Sequence, residues 1–135
     1  MLRLATIAVA LAIGAFPFHA TGLFAQSSDC AGFKSSLAAR TANLKEGREY
    51  MQRVHPMLTN ARMDDPNLNR QVFEREIVRA CEVAKLATNI VGPIEKLIAD
   101  NRASCPLPEI AEAEREFVQA RSIAQVILAD KKVCR

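Results

Sequence analysis

Apolar residues recur at steps of three, four or seven positions along three stretches of this chain. Such steps place side chains on one face of an α-helix, whereas a half-buried strand shows strict alternation, which no stretch here shows. In chain order the three apolar faces consist of Cys30, Phe33, Leu37, Leu44, Met51, Val54 and Leu58; of Phe73, Ile77, Ala80, Ala84, Ala87, Val91, Ile94 and Ile98; and of Ile110, Ala113, Phe117, Ala120, Ala124, Ile127 and Cys134. The pattern predicts an all-α fold, an antiparallel bundle of three long helices.

Capping residues and prolines suggest where the first two helices begin and end. We expect helix one to run from about Asp29, whose carboxylate can cap it, to Leu58. Pro56 predicts a break or a kink near its end. Asp65 followed by Pro66 predicts the start of helix two, because an acidic cap with proline at the first helical position is a typical start signal.

Helix two contains Gly92-Pro93, which could bend it or end it. The apolar steps pass through this dipeptide without a change of register, and an independent new helix need not keep that phase. We therefore favour one helix with a kink at Gly92-Pro93. The alternative is a split at that point, which gives four helices. The stiff corner Cys105-Pro106-Leu107-Pro108 then places the start of the last helix near Pro108 or Glu109.

The apolar face of helix two becomes wider along its length. A second apolar row, formed by Val83, Leu86, Ile90 and Leu97, begins only at Val83, and Glu76 and Arg79 occupy that row earlier. A helix with one neighbour needs a narrow apolar stripe, and a helix with two neighbours needs a wide one. We therefore expect three helices in contact beyond about Cys81, and a two-helix tip (about residues 50–75) that the last helix does not cover.

The N-terminal 25 residues have the layout of a secretory signal peptide. Arg3 supplies a short positive region, an uncharged run from Leu4 to Phe16 follows, and small residues offer cleavage sites. We expect cleavage near Ala25-Gln26, with Gly22-Leu23 as the alternative, and a helical domain over residues 26–135. An uncleaved membrane anchor over residues 4–25 is the competing interpretation, since about 20 apolar residues span a bilayer.

All four cysteines follow the predicted signal peptide, and an even number in an exported chain argues for two disulfides. An antiparallel hairpin turning at Cys105 places Cys81 and Cys134 roughly 36 and 43 Å from the corner, so that they can face each other. Cys30 lies at the same end as Cys105. We predict the pairs Cys30–Cys105 and Cys81–Cys134. The alternative is Cys81–Cys105 with Cys30–Cys134, if Gly92-Pro93 reverses the chain. The long gaps of 51, 24 and 29 positions disfavour zinc.

One cluster of residues has the composition of a soft-metal site. Met51, His55, Met57 and Met63 lie within 13 positions, and His55 follows Met51 by one helical turn. Thioether and imidazole ligands suit copper, Cu(I) especially. The structural interpretation is that Met51 belongs to the core and that the other two methionines fill gaps near the turn. We expect no cofactor, with copper as the alternative.

Charge and motifs narrow the possible functions. The chain carries 18 Lys+Arg and 15 Asp+Glu, and loss of Arg3 with the signal leaves a net charge of +2, which gives no electrostatic case for nucleic acid or for a membrane beyond export. No catalytic motif is present. The sequence predicts a periplasmic or secreted non-enzymatic interaction or adaptor module that binds another protein or itself through the tip. The alternatives are a copper-binding protein using the Met/His cluster and an enzyme of unrecognised type.

Overall fold

The computed structural model describes residues 17–135, with side chains from Cys30 onward. Three helices form within this range, α1 over Pro17–Asn60, α2 over Arg70–Asn101 and α3 over Glu109–Ala129, and no strand is present among these residues. Each helix packs on both others. The predicted all-α three-helix bundle is therefore confirmed. Residues 1–16 of the predicted signal peptide lie outside the described residues.

Two predicted helix starts are wrong, whereas α1 ends within two residues of the predicted Leu58 and the last helix begins at Glu109 as predicted. Asp29 lies inside α1 rather than at its cap, and α1 continues through Pro56 to Asn60. The start of α2 is displaced from Asp65 to Arg70 because the Asp65 carboxylate accepts a hydrogen bond from the amide of Asn67 (2.9 Å) and so stabilises a turn. Asn69 caps α2 instead, its side chain accepting from the amide of Val72 at 3.1 Å.

The dipeptide Gly92-Pro93 lies inside α2, so the four-helix alternative is not adopted. Both residues face solvent, whereas Val91 and Ile94 on either side are buried. The proline ring therefore disturbs no packing, and the buried stripe on the opposite face holds both halves of α2 in one register.

The core consists of the three predicted apolar faces. Phe117 is 8% exposed, and Leu37, Met51 and Ile127 are fully buried. The prediction of a second apolar row is confirmed in part. Val83, Ile90 and Leu97 pack against the core, but Leu86 is 58% exposed. A wide apolar face on the sequence therefore overstates the width of the contact, because two neighbouring helices cover only the centre of the stripe.

Two disulfides join the helices at opposite ends of the bundle, and both predicted pairs are confirmed. Cys30–Cys105 joins α1 to the corner after α2, with a Cα–Cα distance of 5.5 Å. Cys81–Cys134 ties the middle of α2 to the segment after α3, with a Cα–Cα distance of 5.4 Å. The two bridges indicate an oxidising environment.

One ion pair between α1 and α3 is shielded from solvent. The Arg48 guanidinium is bonded to the Glu116 carboxylate, and the two side chains are 13% and 11% exposed. The Glu116 carboxylate raises the pKa of Arg48 above its usual value through this hydrogen bond. A second Arg48 nitrogen, Nη1, donates to Gln52 Oε1 at 2.6 Å, so the guanidinium is held by both helices.

Removing either disulfide should lower the free energy of unfolding by about 4 kcal/mol, since each closes a loop of more than 50 residues in the unfolded chain. The variants are Cys30→Ser with Cys105→Ser, and Cys81→Ser with Cys134→Ser. Urea unfolding followed by circular dichroism measures the change. A loss below about 1 kcal/mol for either pair would show that the bridge does not constrain the unfolded chain in this way.

Glu116→Gln should lower the free energy of unfolding by about 2 kcal/mol, between the values for exposed and buried pairs, because Arg48 keeps its charge in a shielded position. The double variant Arg48→Met with Glu116→Leu should recover most of that loss. Lys96→Ala, which breaks the exposed pair of Lys96 with Asp100, is the control and should change stability by under about 0.5 kcal/mol. Equal losses for Glu116→Gln and Lys96→Ala would contradict this account.

Candidate functional site

The apolar stripe of α2 continues beyond the last residue of α3. Between Ala80 and Ile98 this stripe is buried, but Phe73 and Ile77, in the same register, are only half-buried. The difference arises because α3 ends at Ala129 and the chain then turns back to Cys134. The tip (residues 50–75) therefore keeps the apolar face of a helix pair without the third helix that covers it elsewhere.

A groove opens on the face of the tip that points away from α3, and we refer to it as the far-side groove. Its volume is about 360 Å³. Tyr50 and Arg79 lie at one end, and Ala61 and Leu68 lie near the loop between the helices. The residues that line it are Tyr50, Arg53, Val54, Met57, Leu58, Ala61, Leu68, Asn69, Val72, Phe73, Glu76 and Arg79.

A second groove of about 790 Å³ opens on the opposite face, and we refer to it as the α3-side groove. It lies directly beyond the end of α3, and Val133 and the Cys81 end of the second disulfide form part of its wall. The residues that line it are Leu58, Thr59, Ala61, Met63, Phe73, Glu74, Ile77, Val78, Cys81, Glu82, Lys85, Lys132, Val133 and Arg135. Leu58, Ala61 and Phe73 belong to both grooves and form the wall between them.

Large apolar side chains on the tip are exposed to solvent. Met57 is 65% exposed, Met63 51% and Val72 42%. Met57 and Val72 line the far-side groove, and Met63 lines the α3-side groove. Single exposed apolar residues are ordinary, but several around two apolar grooves are typical of an interaction surface.

The far-side groove ends in a polar cluster built around Tyr50. The Tyr50 hydroxyl donates to Glu76 Oε2 at 2.8 Å. The guanidinium carbons of Arg79 and Arg53 lie 4.8 and 6.0 Å from the centre of the tyrosine ring. Burial and the bond to Glu76 raise the pKa of Tyr50 to about 12. The cluster joins α1 to α2 at the base of the tip and places two cationic groups beside an apolar groove.

The other face of α1 meets the end of α3 at His55. The Nε2 atom of His55 lies 3.3 Å from Asp130 Oδ2, and both side chains are about one-fifth exposed. This contact is the point where α3 stops covering the hairpin. His55 thus faces away from the far-side groove, and the uncovered part of the tip begins just beyond it.

The predicted copper ligands lie in different surroundings in the structure. Met51 is fully buried in the core, and His55 is directed to Asp130. Met57 and Met63 line different grooves. Among the described residues, no group of three or more His, Cys, Asp or Glu side chains is placed to hold a metal ion. The geometry supports the structural interpretation for Met51.

The polar cluster is the part of the site that sequence reasoning missed. The sequence showed Glu76 and Arg79 only as polar residues in a row that later becomes apolar. Their spacing of three, matched by Tyr50 and Arg53 on the preceding helix, was the available signal. The spacing predicts a contact between these residues only when the register between the two helices is known.

Comparisons with protein-family models, with curated proteins and with solved structures found no match to this chain. None of the helices in residues 17–135 has both the length and the apolar character that a membrane span requires.

The Tyr50 hydroxyl should titrate near pH 12 in the folded protein, and Glu76→Gln should lower its pKa toward 10 without reaching it, because burial also raises the pKa. The sequence has one tyrosine and no tryptophan, so ultraviolet difference spectroscopy reports on Tyr50 alone. The folded state favours the neutral phenol, so stability should fall as the pH rises from about 10 through about 12.

Glu74→Gln is the control for this titration, because Glu74 lies on the α3-side groove and should leave the Tyr50 pKa unchanged. Titration of wild-type Tyr50 near pH 10 would show that neither its burial nor its bond to Glu76 persists in solution.

Proposed function

We propose that this protein is an exported interaction module, without catalytic activity of its own, whose tip binds an amphipathic helix of another protein. One observation carries the proposal. The apolar stripe of α2 is buried under α3 from Ala80 onward. At Phe73 and Ile77, beyond the end of α3, the same stripe is only half-buried.

The shape of the site favours a helix as the occupant. At the base of the bundle, the groove between α1 and α2 is filled by α3, which is itself an amphipathic helix. At the tip, the α3-side groove continues this face of α1 and α2 beyond the end of α3, and the far-side groove lies between the same two helices on the opposite face. An apolar groove between packed helices is a common receptor for a partner helix that inserts side chains at positions i, i+3, i+4 and i+7.

The length of the far-side groove fits this mode of binding. On α1 it runs from Tyr50 to Ala61, which corresponds to about 16 Å along the helix axis. That length covers about three helical turns and accommodates three or four anchoring side chains. Met57 and Val72, which are exposed in the free protein, would be covered by such a partner.

Two independent features support the proposed compartment. The disulfides Cys30–Cys105 and Cys81–Cys134 indicate an oxidising environment. The N-terminal sequence has the pattern of a secretory signal. We therefore place the protein in the periplasm or outside the cell, where the partner is also expected.

A photoreactive amino acid placed at residue 57 or 63 should form a crosslink to one defined partner in cells that export the protein. The same amino acid at residue 126 is the control, because Val126 is 49% exposed on α3, outside both grooves. The crosslinked protein, once identified and purified, should bind the wild type in calorimetry through a helical segment.

Met57→Gln and Met63→Gln test the same contact by affinity. The variant in the groove that the partner occupies should weaken its binding about tenfold or more, as a central apolar anchor does. Both should leave stability within about 0.5 kcal/mol, since both side chains are exposed. Crosslinks that are equal at residues 57, 63 and 126, or that join only copies of this chain, would overturn the proposal of a partner helix from another protein.

A further inference from the structure

We infer that the far-side groove selects partner helices that carry an aspartate or glutamate at the end lying against Tyr50, where Arg53 and Arg79 receive the carboxylate. This inference rests on the proposed function and adds the charge and the direction of the partner helix. It follows from the placement of the polar cluster at one end of an otherwise apolar groove.

The two guanidinium groups come from different helices and converge on one ring. Arg53 extends from α1 and Arg79 from α2, and their guanidinium carbons lie 6.0 and 4.8 Å from the centre of the Tyr50 ring. An aromatic ring holds a guanidinium by cation–π attraction and so limits its freedom before a ligand arrives. Both arginines also line the groove, so a ligand in the groove reaches them directly.

The charges at this end do not cancel. Among the residues that line this groove, the one carboxylate is that of Glu76, and it already accepts the hydrogen bond of the Tyr50 hydroxyl. Within the described part of the chain, neither Arg53 nor Arg79 takes part in an ion pair. Two cations beside one carboxylate leave a positive end that an additional carboxylate would neutralise.

The other end of the groove has a different character. Around Ala61 and Leu68 the wall is apolar, and the charged neighbours Arg62 and Asp64 are paired with each other at 2.9 Å. A helix with apolar anchors and one acidic end therefore fits in one direction only. Its acidic side chain lies about two to three turns from the anchor that contacts Leu68, as the 16 Å length of the groove requires.

The α3-side groove provides a matched comparison within the same tip. It is lined by Glu74 and Glu82 together with Lys85, Lys132 and Arg135, so both signs of charge surround it. These three cations and two carboxylates leave the same excess of one positive charge as the far-side groove has, so net charge alone does not distinguish the two grooves. Among the described residues, the cations of the α3-side groove are not held against an aromatic ring. A preference for an acidic end is therefore a property of the Tyr50 cluster and not of the tip as a whole.

The test is a selection from a display library of amphipathic 14-residue helices with randomised polar positions and no tyrosine or tryptophan. Wild-type protein should select peptides with aspartate or glutamate at one end. The double variant Arg53→Glu with Arg79→Glu should bind those peptides at least tenfold more weakly and should select lysine or arginine there instead. Tyr50 fluorescence measures binding in the groove, because Tyr50 is the single tyrosine and tryptophan is absent.

Two further comparisons complete the test. Replacing the selected acidic residue by glutamine should weaken binding to the wild type about tenfold, and added salt should reduce the difference. Arg53 and Arg79 are exposed, so circular dichroism and thermal unfolding should show the double variant folded as the wild type.

The outcomes separate this inference from the proposed function. Peptides that contact Met63 and Val78 and bind the double arginine variant as tightly as the wild type would overturn the carboxylate preference while leaving helix binding intact. Peptides that bind in the far-side groove without enrichment of acidic residues would do the same. A library that yields no binder to the wild type would overturn the proposed function itself. Association of the protein with itself through Tyr50 and Met57 would overturn both.

Discussion

Burial of the apolar stripe on α2 is the interaction on which the rest of the structure depends. Its residues recur every three or four positions from Phe73 to Ile98, and both other helices pack against it. Each fully buried valine or isoleucine contributes about 1.5–3 kcal/mol. This stripe also explains why Gly92-Pro93 does not end α2. The residues on either side of the dipeptide remain in the buried register, and the proline itself faces solvent.

The covalent and ionic contacts fix where each helix lies along this stripe. Cys30–Cys105 holds one end of the bundle, and Lys34 Nζ lies 2.7 Å from Glu109 Oε1 next to it. Cys81–Cys134 holds the segment after α3 against the middle of α2. Because α3 is held at both ends and is shorter than the hairpin, it cannot slide toward the tip. The open grooves are therefore a consequence of helix length combined with disulfide placement.

The tip that results combines two properties. Its grooves are apolar on both faces, and one of them ends in a cluster where Tyr50, Glu76 and two arginines meet. The cluster stabilises the junction of α1 and α2 and at the same time presents positive charge to the groove. These features support the proposed role in recognition. In that proposal, charge sets the direction of the partner helix, and the exposed methionine and valine side chains supply the apolar contacts.

The sequence by itself determined the parts of the structure that depend on periodicity and spacing. The three apolar faces followed from it, and it favoured the continuity of α2 and both disulfide pairs, because helical geometry converts sequence distance into distance along an axis. The tertiary structure excluded the four-helix alternative and the other pairing. The turn at Asp65 and the extension of α1 past Asp29 and Pro56 were decided only by the folded chain. At Asp65 the reason is that a carboxylate can stabilise either a turn or a helix cap. The sequence also indicated an uncovered tip, from the narrow stripe before Val83. The two grooves, the dispersal of Met51, His55, Met57 and Met63, and the convergence of Arg53 and Arg79 on Tyr50 required the tertiary structure. They depend on the rotation of one helix against another, which no pattern within a single helix specifies.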